Sequence, residues 1–156
     1  MSIGTALDAF YMLRPIVRSV FRVLTSILFA AIVIQVGLAG YGAFDAIHKA
    51  KTAPIKLKPL EDSFGAHAVF GYVIVLVMLL LFMVASSAGL GSEKVRWSGG
   101  ILALGVLQAI LGAVSPSVPV IGFLHGINAL AIYAAAALLA HRAWTEDRVA
   151  VAGPTG

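Results

Sequence analysis

Gly122-Phe-Leu-His-Gly-Ile-Asn-Ala-Leu-Ala-Ile-Tyr133 sets one histidine, His125, in an apolar run that begins just after Pro119. Phe64-Gly-Ala-His-Ala-Val-Phe-Gly-Tyr72 does the same with His67, a few residues after a polar loop. An imidazole inside an apolar helix is costly unless it faces other polar groups in a bundle interior. These two stretches are therefore expected to be helices that turn their histidines toward each other, and the remaining segments fall into place around them.

The surrounding composition says what kind of bundle this is. Of 156 residues, 60% are hydrophobic, and the mean hydropathy is +0.99. Soluble domains are apolar over nearer half their residues, so the chain reads as an all-α integral membrane protein in a lipid bilayer. Four apolar runs are expected to span: about Val23 to Phe44, Phe64 to Ala88, Val95 to Val114 and Val120 to Trp144. Each approaches the roughly 20 residues that cross about 30 Å of hydrocarbon. The third is the shortest. The chain then divides into a cytoplasmic or interfacial segment (1–22), a four-helix transmembrane domain (23–144) and a cytoplasmic tail (145–156). The first run exceeds the length of a signal-peptide core and is expected to be retained.

The net charge of +4 does not indicate a nucleic-acid partner, because the eleven Lys and Arg residues lie almost wholly outside the spans. They set topology instead: Lys49, Lys51, Lys56 and Lys58 fall in the first outer loop, and the other seven place both termini in the cytoplasm. There is no cysteine, which excludes disulfides, thiolate ligands and covalent c-type haem attachment.

At the N-terminus, Ala6, Phe10 and Leu13 share a helical face, which suggests an interfacial helix or a frayed basic tail leading into span one. Span one carries Gln35 on a stripe with Ala31, Ala39 and Gly42, and span three carries Gln108 on a stripe with Gly105, Gly112 and Ser115. Small stripes of this kind are expected to face a neighbouring helix. Gly71 lies one turn from His67 on the same face, where a flat ligand would approach the backbone, and Asn128 follows His125 by three residues. Met78 and Met83 are expected to pack or face lipid. His48 is read as solvated, and His141, with Arg142 and Trp144, as an interfacial anchor.

The polar inventory repeats. Each hairpin supplies a glutamine, a Gly/Ala-rich run, an outer loop and then a histidine, which suggests a pseudo-twofold axis normal to the membrane. Spans two and four run in the same direction, with histidine depths matched to about 3 Å. That arrangement suits axial ligation of a porphyrin iron by His67 and His125, with Gln35 and Gln108 near the ring edge. Hydrogen bonding of the histidines to Gln35, Gln108 or Asn128 across the bundle explains the same residues without a cofactor. Structural zinc fits less well, since it asks for four ligands.

Gln35-Val-Gly-Leu-Ala-Gly40, Gly65-Ala-His-Ala-Val-Phe-Gly71, Leu107-Gln-Ala-Ile-Leu-Gly-Ala113 and Leu124-His-Gly-Ile-Asn-Ala129 together resemble one four-helix half of the haem A synthase family. They are also similar to a group of short four-span bacterial proteins related to it. The resemblance implies a bacterial plasma-membrane four-helix bundle holding haem b (iron protoporphyrin IX) near the outer face, with His67 and His125 as iron ligands. The family's carboxylate three residues before the first histidine is Phe64 here, and its following basic residue is Ala68. Three readings stay open. One is a membrane b-type cytochrome drawing electrons from a quinol or protein partner. Another is a non-catalytic accessory subunit of a larger respiratory complex, and the last is a haem-modifying oxidoreductase that needs a homodimer.

Overall fold

A computed structural model describes residues 3–52, 54 and 56–152, with side-chain surroundings for 13–51, 54, 56–59 and 61–146. Five helices run in chain order: α1 (Ile3–Thr52), α2 (Leu57–Asp62), α3 (Gly65–Ser87), α4 (Ser92–Val114) and α5 (Pro119–Ala152). All except α2 are long and apolar enough to cross a membrane. The chain is a multi-pass, all-α membrane protein. Around the bundle α1 packs on α3, α3 on α4, α4 on α5 and α5 on α1. This is the up-down-up-down arrangement that short connections produce, and it puts α3 and α5 on one diagonal, parallel to each other.

The expected spans hold their places, with two adjustments. Helix α4 has 23 residues, as many as α3, so the third span is not a short one. Helix α1 runs 50 residues through Pro15 without a break, so the N-terminal segment continues the first span and does not form a separate surface helix. The sequence-based divisions at 22/23 and 144/145 both fall inside continuous helices. The expected helical face through Ala6 and Phe10 lies outside the residues whose side chains are described.

Every long helix buries residues at three- and four-residue steps, the spacing of one stripe in a near-parallel bundle. In α1 the stripe is Phe21, Thr25, Leu28 and Ile32, and in α3 it is Ile74, Met78, Leu81 and Ala85. In α4 it is Ser98, Ile101 and Gly105, and in α5 it runs from Asn128 through Ile132, Ala136 and Leu139 to Ala143. Met78 sits over Gly105: a Cβ there would lie 2.3 Å from its sulfur. Met83 is exposed, as expected of a residue facing lipid.

Followed one or two steps further, the same stripes reach Gln35, His67, Gln108 and His125. There the close packing stops. Beyond that level, toward the ends joined by α2 and by 115–118, only Gly42 and Ser63 are fully buried among the described residues. The stripe positions at that end are small or polar (Ala39, Gly112, Ser115) and only partly buried.

The connections are specified locally. Gly89 (φ 59°) and Gly91 (φ 101°) turn the chain between α3 and α4 in the left-handed region, which a side chain enters at a cost. Gly91→Ala, with nothing near its Cβ, is expected to lose about 1 kcal/mol from backbone strain alone. Thermal unfolding in detergent measures it. Pro119 occupies the first position of α5, where its missing N–H is not needed. Pro59 likewise lies in the first turn of the short helix α2, where proline is tolerated.

At the end remote from the histidines, polar groups join the helices. The Trp144 indole N–H donates to Ser26 Oγ at 2.9 Å while the Arg22 guanidinium lies 5.1 Å above its ring. Arg142 lies 5.0 Å over Trp97 and donates to Glu93 at 2.7 Å, and Lys94 pairs with Glu146. Arg142 and Trp144, expected as membrane-surface anchors, thus also tie α5 to α4 and α1. Trp144→Phe keeps a ring under Arg22 and removes the indole donor. It is expected to cost about 0.5–1.5 kcal/mol by the same unfolding measurement.

Candidate functional site

Where the packing stops, two residue pairs repeat one geometry. His67 Nδ1 lies 3.2 Å from the Gln35 carbonyl, and His125 Nδ1 lies 3.1 Å from the Gln108 carbonyl. A carbonyl only accepts, so each Nδ1 carries the proton, and the neutral ring keeps its lone pair on Nε2. In each pair the side-chain amide nitrogen of the same glutamine faces that lone pair, at 3.5 Å for Gln35 and 3.0 Å for Gln108. The two hairpins, α1/α3 and α4/α5, thus carry equivalent histidine–glutamine clamps, as the repeated inventory predicts.

The clamps are not identical. Gln35 gives its amide N–H to the His67 carbonyl at 2.8 Å, which makes its contact with the ring the weaker one. Its Oε1 is buried and has no hydrogen-bond partner among the described residues. Gln108 instead accepts through Oε1 from Asn128 Nδ2 at 2.7 Å, and Asn128 also donates to the Leu104 carbonyl at 3.0 Å. Asn128 is 8% exposed. Its place three residues after His125 puts it on the same face of α5.

Small residues make these approaches feasible. A Cβ on Gly112 would lie 3.1 Å from His125 Cε1, so this glycine seats the imidazole against α4. A Cβ on Gly71 would lie 3.0 Å from Gln35 Nε2, so the space expected there for a ligand is entered by the Gln35 amide. Sequence reasoning placed Gly112 on the right stripe without assigning it this seat. It also could not see the Leu104 carbonyl, because a backbone acceptor leaves no residue-type signal.

The two clamps bring the rings together. Their centroids are 6.2 Å apart and their planes meet at 66°, across the diagonal between α3 and α5. An imidazole nitrogen binds a metal at about 2.0–2.1 Å and lies ~1.1 Å from its ring centre, so two imidazoles on opposite sides of one ion stand roughly 6 Å apart. The spacing and the Nδ1–H tautomers therefore suit a shared metal, provided each glutamine amide turns away from its Nε2. Among the described residues no group of three or more His, Cys, Asp or Glu gathers, so they form no four-ligand structural zinc site. His48 and His141 are exposed on α1 and α5, away from the pair.

No family model, no curated protein and no solved structure matches the chain.

Proposed function

We propose that this protein is a bis-histidine haem b protein of the membrane, with His67 and His125 as axial ligands, and that it carries single electrons. The observation that carries the reading is the pair of Nδ1-anchored rings 6.2 Å apart on diagonal helices, at the level where close packing ends. The resemblance to one half of the haem A synthase family points the same way.

Each part of the chain has a task in this reading. The Gln35 and Gln108 carbonyls hold the Nδ1 protons and orient the rings, which also makes the Nε2 atoms better donors to a metal. The small stripe residues Ala39 and Ser115 would give a flat macrocycle room beside the rings, while Gly112 seats the His125 ring. The tightly packed half, from Ile32 and Ile74 downward, closes the site off from the opposite membrane face. When bound, haem would supply a one-electron couple whose potential responds to its axial ligands and to burial. By the distribution of Lys and Arg, the site lies near the outer face, within reach of a membrane quinol or of a larger respiratory complex.

The absorption spectrum of the full-length protein, purified in detergent from haem-replete cells, tests this directly. Low-spin b-type bands in the reduced-minus-oxidised difference are expected, and a colourless protein would falsify the proposal. One observation favours a second reading, an accessory subunit held together by polar contacts: Gln108 already donates to His125 Nε2 at 3.0 Å. In that case replacing both histidines by glutamine leaves the assembly and activity of the complex unchanged, and no haem accompanies the wild-type protein.

A further inference from the structure

The two clamps treat the two Nε2 lone pairs differently. On the α5 side, Asn128 fixes the Gln108 amide from behind, donating to Gln108 Oε1 at 2.7 Å and to the Leu104 carbonyl at 3.0 Å. That leaves the Gln108 N–H aimed at His125 Nε2 at 3.0 Å. On the α3 side, the position three residues after the histidine is Phe70, which has no donor. Gln35 turns its N–H to the His67 carbonyl at 2.8 Å and keeps only a 3.5 Å contact with His67 Nε2, while its Oε1 finds no partner among the described residues.

A lone pair cannot serve a metal and a hydrogen bond at once. His125 therefore has a formed, part-buried alternative partner when it is not coordinated, and His67 has only the 3.5 Å contact. Resting on the haem reading above, we infer that His125 is the exchangeable axial ligand. It is released onto the Gln108 amide, which frees that face of the haem for a small neutral ligand of the carbon monoxide type while His67 stays in place. The exchange breaks one iron–nitrogen bond, forms one iron–ligand bond and transfers no electrons. Asn128 is a positioning residue: it acts only by holding Gln108 in the orientation that receives His125.

Carbon monoxide titration of the dithionite-reduced, full-length protein tests this, read from the Soret shift. The wild type is expected to take up carbon monoxide, and Gln108→Leu, which removes the competing donor, is expected to bind it about 2–10-fold more weakly, the range one net hydrogen bond supplies. If Gln108→Leu does not accumulate, Asn128→Leu reads the same competition, since it leaves both histidines and both glutamines in place. It is expected to shift affinity in the same direction. A merely supporting role for the two residues predicts the opposite sign, because a loosened His125 would yield more readily. The inference is overturned if the reduced wild type holds low-spin haem that refuses carbon monoxide, or if affinity is unchanged or higher in the variants. Absence of haem from the wild type would sink the underlying reading as well, which separates the two failures.

Discussion

Replacing His67 or His125 by alanine is expected to abolish the low-spin reduced-minus-oxidised bands, lowering bound six-coordinate haem by at least about tenfold. The expectation rests on geometry more than on residue type. Each ring is anchored at Nδ1 by a carbonyl of the preceding long helix, α1 or α4, and the two ring centroids stand 6.2 Å apart. Alanine removes the ligand and also leaves a glutamine amide without its ring, so a folding defect has to be separated from a ligand defect. Glutamine does this. His67→Gln and His125→Gln keep a polar side chain on the stripe that can hydrogen-bond inside the bundle, yet they offer no comparable axial ligand. Monodisperse elution with lost bands is the expected result for these variants. Retained low-spin bands in either would show that the ring in question does not bind the metal.

Gly42→Ala is expected to lower stability by about 1–3 kcal/mol. A Cβ at Gly42 would stand 2.8 Å from the Ser63 carbonyl oxygen and 2.9 Å from Phe64 Cδ1. The first of these neighbours is backbone, and α2 and α3 meet there, so no flexible side chain can give way. The same corner carries Lys49, which pairs with Asp45 at 2.7 Å and donates to Ser63 Oγ at 3.0 Å. Displacing Ser63 therefore also disturbs that pair and the start of the helix that carries His67. Thermal unfolding in detergent measures the loss. Gly40→Ala is the contrast, since nothing lies within 4 Å of its Cβ. There alanine is expected to be neutral or to raise stability by up to about 1 kcal/mol through helix propensity. Equal losses at both positions would show that the α1–α3 corner is not closely packed.

Much of this was legible in the chain because it depends on properties local to each segment. The four spans follow from the lengths of apolar runs between charged loops. The stripes through Gln35 and Gln108 follow from helical periodicity, and the matched depth of His67 and His125 follows from span direction and rise per residue. The continuity of α1 through Pro15 was less legible, since proline and arginine at a membrane surface also suit a break. The room expected at Gly71 went to the Gln35 amide, because a small residue announces space without saying which neighbour takes it.

By itself, then, the sequence determined a membrane bundle of four helices with a repeated glutamine–histidine inventory, because hydrophobic length and three- to four-residue periodicity are written into each segment independently. Only the tertiary structure decided which glutamine holds which histidine, that Asn128 locks one clamp while Phe70 leaves the other loose, and that close packing ends at the ring pair. Those facts depend on the rotation of one helix against another, and that rotation is set by the sum of all the side-chain contacts between them.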